Sequence, residues 1–119
     1  MNLQDDYQLL EGGGFKKACK KLRKKHAGLS KDLEPVFTVL KKGSDIVLSP
    51  TPIQECHLGL VKKVRVAMIS ERKGKSNGYR LYYVRNEERK TVYLLFIYTH
   101  QQQDSVSEAQ LREILSNFD

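Results

Sequence analysis

The chain has 119 residues and carries 21 Lys plus Arg against 14 Asp plus Glu, a net charge of +7 with His neutral. That length suits one domain, and 39% hydrophobic with 29% charged residues is the composition of a folded chain with no apolar run near the roughly 20 residues that span a bilayer. Wholly disordered and integral-membrane readings are excluded. The opening MNLQDDYQLL is acidic and lacks the basic start and long apolar stretch of a signal peptide, so a cytoplasmic protein is expected.

In chain order, a short strand is expected around Tyr7 to Leu10, followed by a flexible break at Gly12, Gly13 and Gly14. A helix can start there. Phe15, Ala18, Cys19, Leu22 and His26 form one stripe of a 3.6-residue period, lysines and Arg23 fill the other faces, and Gly28 is read as its close. A second helix places Leu29, Leu33, Val36, Phe37 and Leu40 on one face, with Pro35 assigned to the first turn and Gly43 as the stop. The two make a helical hairpin.

Residues 44 to 61 read mostly as loop, with a short extended piece at Ile46 to Leu48. From Val61 the period becomes two, so that Val64, Val66 and Met68 face one way and Lys63, Arg65 and Ala67 the other. ERKGKSNG (71–78) is a polar turn, and YRLYYVR (79–85) is the next strand. TVYLLFIY (91–98) is nearly continuous in apolar residues, as in a strand buried on both faces. His100 follows it, and a last helix is expected to start near Ser105 or Ser107, packing through Val106, Ala109, Leu111, Ile114 and Leu115. The expected fold is a small single α+β domain, with a helical hairpin and a C-terminal helix packed on a twisted, mainly antiparallel sheet of three to four strands.

The positive charge is segregated. Residues 16–31 sum to +8 and residues 62–90 to +7, whereas the remaining three segments are each negative. Clustered cations of this kind suit a polyanion, most often nucleic acid, through counterion release from phosphates. Cys19 and Cys56 form no CxxC pair and the three histidines are scattered, so neither a metal nor a cofactor is expected. Gly74-Lys75-Ser76 resembles the end of a Walker A loop, but its first glycine would fall at Ile69 and a strand follows in place of a helix.

The chemically suggestive pattern lies on the strands. Lys63 and Arg65, two apart, project from one face about 6 to 7 Å apart, and Arg80 on the next strand can converge on it. His100 stands just past the third strand, and histidine is the side-chain type suited to proton transfer at physiological pH. Attack of an RNA 2′-OH on its neighbouring phosphate needs a base for the hydroxyl proton, positive charge on the crowded phosphorane, and an acid for the leaving 5′ oxygen. These four residue types supply that set without a metal. Binding alone, or a solvated cationic face, is the alternative that spacing leaves open.

The order of motifs from Val61 to Leu115 resembles the C-terminal half of toxins of the RelE/ParE superfamily, HigB-like members in particular. The K-x-R strand of Lys63 and Arg65, the basic GKSNG turn, the aromatic GYRLYY strand and the apolar YLLFIY strand carry the resemblance. FKKACKKLRKKH followed by LSKDLEPVFTVLKKG resembles the family's lysine-rich hairpin, so that the likeness covers roughly residues 15 to 115. It implies a RelE-like toxin domain over 15–119 preceded by an N-terminal segment 1–14. It further implies an mRNA endoribonuclease that docks on rRNA in the ribosomal 30S A site and cuts the mRNA there, neutralised by a cognate antitoxin protein, with no membrane partner. Carried over, Lys63, Arg65 and Arg80 match the family's phosphate-contacting and catalytic cations. His100 stands where HigB-like members commonly have Lys, Gln101 and Ser107 stand where RelE uses Arg and Tyr, and EGGG interrupts the usual approach to the first helix. Around this centre, Lys62, Arg72, Lys73, Lys75, Tyr82, Lys20 and Lys24 are the expected RNA contacts. Alternatives within and outside the superfamily are a ParE-like inhibitor of DNA gyrase and a non-catalytic RNA-binding module.

Overall fold

In the computed structural model, which describes residues 6–45, 48–74, 77–103 and 105–118, three consecutive strands form the middle of one sheet. These are β4 (Gly59–Val66), β5 (Tyr79–Asn86) and β6 (Thr91–Thr99), joined as an antiparallel meander. The full element order is β1 (Gln8–Glu11), α1 (Gly13–Arg23), α2 (Leu29–Lys41), β2 (Leu48–Ser49), β3 (Glu55–Cys56), β4, a 3-10 turn at Ile69–Glu71, β5, β6 and α3 (Glu108–Ser116).

The sheet is mixed and larger than the three to four strands expected. β1 pairs parallel with β6, from Gln8 opposite Thr91 to Glu11 opposite Leu94. At the other side β2 and β3 share the outer edge of β4, at Lys63–Val64 and Gly59–Leu60 respectively. Both are two-residue strands in a Pro-containing stretch, too short to leave an alternating pattern in sequence. The rest of the Ile46 to Leu48 expectation lies outside the described residues.

Each sheet face has its own layer. Phe15, Cys19 and Leu22 of α1 and Leu29, Leu33, Val36 and Leu40 of α2 pack on Val64, Val66, Leu81, Tyr83, Val92 and Leu94. Opposite them, Leu111 and Leu115 of α3, with Val106, cover Val61, Tyr82, Val84, Tyr93, Leu95 and Tyr98. This is why the 91–98 segment is apolar throughout: both of its faces are roofed. Each fully buried large side chain contributes about 1.5–3 kcal/mol of transfer free energy. A bulge interrupts the β5–β6 ladder, with Tyr82 opposite Phe96 but Tyr83 opposite Leu94. Leu95 is the inserted residue, and Leu95 and Phe96 therefore both pack toward the α3 layer.

Two helix boundaries differ from the sequence reading. α1 ends at Arg23, and Gly28 instead serves a close approach, since a Cβ there would collide with the Ser70 side chain. α2 starts at Leu29, so Pro35 lies inside the helix and not in its first turn. Its missing N–H costs one intrahelical hydrogen bond, and the packing of Leu33, Val36 and Leu40 outweighs that loss. Gly43 does terminate α2, in the left-handed region at φ +78° with the Tyr7 ring beneath it.

Two carboxylates, Asp32 buried and Asp45 half-buried, tie loops to this frame. Asp32 accepts hydrogen bonds from the Ser70 amide (2.8 Å), the Ser70 hydroxyl (2.7 Å) and the Tyr79 hydroxyl (3.3 Å), fixing the turn after β4 against α2. Asp45 receives Lys62 (3.1 Å), Arg85 (3.0 Å) and the Tyr83 hydroxyl (2.8 Å), holding the segment after α2 on the sheet. Cys19 is an ordinary core thiol, its pKa pushed up to about 11 by burial.

β1 covers β6 only as far as Leu94, which leaves the outer edge of 95–99 without a neighbouring strand among the described residues. That edge floors a groove of about 300 Å³ between α1 and α3, lined by Lys17, Lys21, Phe96, Tyr98 and Ile114 among others.

Candidate functional site

The β4–β5 register sets Arg65 directly opposite Arg80 and Lys63 opposite Tyr82, while the β5–β6 register sets Arg80 opposite Tyr98. All five belong to the face that α3 partly covers. Side chains directly opposed across an antiparallel pair have Cβ atoms about 4.5–5.5 Å apart, and like charges in that position destabilise the sheet. Such a local conflict is the kind of feature that a functional site retains.

The electrostatics record the crowding. Lys63, half-buried, has its pKa lowered first by desolvation and then by the Arg80 and Arg65 charges. Arg80, only 5% exposed, is lowered by burial and by Arg65, with Tyr98 acting in the opposite sense. One of its guanidinium nitrogens donates to the Tyr79 carbonyl at 3.3 Å, which anchors the side chain along its own strand. Arg65 is exposed, and neither Arg65 nor Lys63 has an ion-pair partner among the described residues. The cluster is thus a fixed concentration of positive charge with one buried, one half-buried and one open member.

Beneath it lies an aromatic floor. The Lys63 Nζ sits 5.6 Å from the centre of the Tyr82 ring. Tyr82 stacks on Tyr98 at 6.3 Å with 26° between the planes, and Tyr98 is followed by Phe96 at 5.9 Å. Burial raises the pKa of both tyrosines, so each remains a neutral phenol at physiological pH. Their hydroxyls are close enough to influence each other's ionisation, and the buried Tyr98 hydroxyl has no hydrogen-bond partner among the described residues.

His100 is exposed at the end of β6, and its amide donates to the Gly78 carbonyl at 3.1 Å, continuing the ladder two residues beyond the Arg80–Tyr98 pair. Gly78 itself is required by proximity: a Cβ would lie 2.0 Å from the Val66 carbonyl oxygen. The turn between β4 and β5 brings further charge to this end. Arg72 is exposed, in the left-handed conformation at φ 57°, and Lys73 bridges back to Met68 with its amine 3.7 Å from Glu71. Glu71 also pairs with His26, which packs edge-on against Tyr79 and so joins the end of α1 to the turn. Between that end of α1 and the residues after β6 is a cleft of about 250 Å³ lined by Lys21, Lys25, His26, Thr99, Gln101 and Gln102. Two basic blocks remote in sequence therefore meet at one end of the fold.

The remaining expected contacts divide. Lys20 on α1 and Lys24 just past its end are exposed. Lys75 lies outside the described residues. Lys62 occupies the opposite face of β4 from Lys63, where Asp45 neutralises it, so it stands apart from the cluster. Tyr82 departs from the expectation of a base-stacking ring: at 1% exposure it offers no open face, because α3 and Lys63 cover it. Gln101 is exposed, whereas Ser107 caps α3 by accepting from the Gln110 amide at 3.1 Å. Sequence reasoning missed Tyr98 as a neighbour of Arg80; its position two residues before His100 on an alternating strand was the available signal.

No protein-family model matches the chain, and no curated protein does. Among solved structures, the chain is similar to the E. coli toxin RelE in the free state, in a form with two arginines replaced by alanine. The identity is 18%, the alignment covers 94% of this chain and 93% of that one, and the TM-score is 0.48.

Proposed function

We propose that this chain is an endoribonuclease toxin, partnered by an antitoxin, that cuts mRNA on the ribosome without a metal. The observation that supports the reading is the cross-strand convergence of Lys63, Arg65 and Arg80 beside His100. Three cations around one point match the charge of a phosphorane better than that of an extended phosphate track, where successive phosphates lie several ångströms apart.

In this reaction the 2′ oxygen attacks the adjacent phosphorus while its proton passes to the Lys63 amine, whose lowered pKa increases the neutral fraction able to take it. Arg65 and Arg80 hold the non-bridging oxygens and stabilise the added negative charge. The P–O5′ bond breaks, and the imidazolium of His100 gives its proton to the leaving oxygen. The products are a 2′,3′-cyclic phosphate and a 5′-hydroxyl. Lys73, Arg72, Lys20 and Lys24 contribute long-range attraction to RNA.

The test is to add the protein to a translating extract and map 5′ ends on the message. Cuts that vanish with Arg80→Ala and with Lys63→Ala, in proteins that keep the wild-type fold, are the expected result. Full cleavage by both variants would sink the assignment. DNA damage without RNA cuts would instead identify a gyrase inhibitor, and salt-sensitive RNA binding with no cuts a binding module.

A further inference from the structure

We propose that Tyr82 is a positioning residue for Lys63, its ring holding the ammonium of the resting protein beside the two arginines, at the place from which the amine acts once it has lost its proton. The inference rests on the reading of Lys63 as a member of the reacting group. A lysine next to two like charges is pushed outward, and its four-bond stem offers many solvent-directed rotamers. Something must oppose that drift if the amine is to stay near Arg80. Tyr82 stands directly across from Lys63 in the β4–β5 ladder, with the amine 5.6 Å from the centre of its ring. A cation over a partly dry ring is attracted to the π face.

The ring is itself immobilised. It is buried, stacked on Tyr98, and overlaid by the Val106 segment leading into α3. A flat face fixed to this degree defines where the amine rests, whereas an aliphatic residue would fill the same volume without directional attraction. The phenol oxygen is dispensable on this account and the ring is not. That separates positioning from packing, because Tyr82→Phe keeps the ring while Tyr82→Leu keeps only apolar bulk. Val84, buried on the same face two residues along β5 with the uncharged Val61 and Tyr93 as its cross-strand partners, serves as the control for a damaged core.

The experiment has two readouts. Proton NMR of the free protein follows the Lys63 ε-methylene, which a ring beneath it shifts upfield, and a translating extract with a defined message gives the cleavage rate and its pH profile. Tyr82→Phe should retain the upfield shift and the rate. Tyr82→Leu should lose the shift and cut about 5- to 30-fold more slowly, with its alkaline limb moved, while Val84→Ala keeps both the shift and the rate despite lower stability. Should Tyr82→Leu fail to fold, Tyr82→Met takes its place. A Tyr82→Leu or Tyr82→Met protein that cuts at the Val84→Ala rate, or a wild type with no upfield shift, overturns the proposal. Absence of cuts by the wild type would refute the nuclease reading alone, and the NMR comparison would still decide whether Tyr82 holds Lys63.

Discussion

Gly78→Ala probes the coupling between backbone packing and the cationic cluster. The added methyl would stand 2.0 Å from the Val66 carbonyl oxygen, 3.0 Å from its carbon and 3.2 Å from the Ala67 Cα, all backbone atoms at or just past the end of the strand that carries Arg65. Real contacts of this kind need more than 3 Å, so β4 and β5 must part by about 1 Å at this end, because no flexible side chain can yield. Overpacking of this sort costs about 1–3 kcal/mol, and weakening of one or two ladder hydrogen bonds adds about 1 kcal/mol. The loss should therefore be about 2–4 kcal/mol, read as a lower urea midpoint with an unchanged slope. Activity should suffer more than stability. The same displacement separates Arg65 from Arg80 and moves His100, whose amide bonds to the Gly78 carbonyl; a misplacement of about 1 Å can cost roughly 100-fold in rate. The assay is cleavage in a translating extract at a temperature where the variant is fully folded. A folded Gly78→Ala protein with wild-type midpoint and wild-type cutting would refute the reasoning.

Asp32→Ala removes the acceptor of three donors at once, the Ser70 amide and hydroxyl at a part-buried position and the Tyr79 hydroxyl at a buried one. It should lower stability by about 3 kcal/mol in urea denaturation, and a loss below about 1 kcal/mol would show that the turn is held by other means. Lys63→Met tests the depressed lysine. Because the folded pKa is below the unfolded value of 10.5, the unfolded chain binds more protons between the two values, and wild-type stability rises with pH there. The charge penalty is fully present below the folded pKa and disappears as pH passes through it toward 10.5. Lys63→Met should accordingly exceed the wild type in stability at neutral pH, with the difference closing in alkali; a constant difference across that range would remove the linkage.

Much of the fold is legible because burial writes a period into the residues. Val64, Val66 and Met68 alternate with Lys63 and Arg65, and that alternation alone places the two cations on one face. The Phe15, Cys19 and Leu22 stripe and the Ser107 cap are equally direct. Legibility ends where one residue answers to two neighbours in space. Tyr82 reads as a stackable aromatic because α3, which roofs it, lies more than twenty residues away in sequence. Lys62 adjoins Lys63 in sequence, yet the pleat sends it through to Asp45 on the other side. The Leu95 bulge has no signal in a run where every residue is apolar, since either parity buries an apolar side chain. Pro35 misleads in the opposite sense, because tertiary packing overrides a helix breaker.

The unpaired outer edge of β6 at 95–99 also bears on how copies of the chain behave toward each other. An open strand flanked by Phe96 and Ile114 is a template for edge-to-edge growth, the first step toward intermolecular sheets. Lys17 and Lys21 stand along the rim of that groove. Two copies meeting edge to edge would bring four ammonium groups together, so the lysine flank of α1 acts as a gatekeeper against self-pairing at neutral pH. The same helix carries the first basic block, and replacing its rim lysines would remove the charge that opposes edge-to-edge association of the chain with itself.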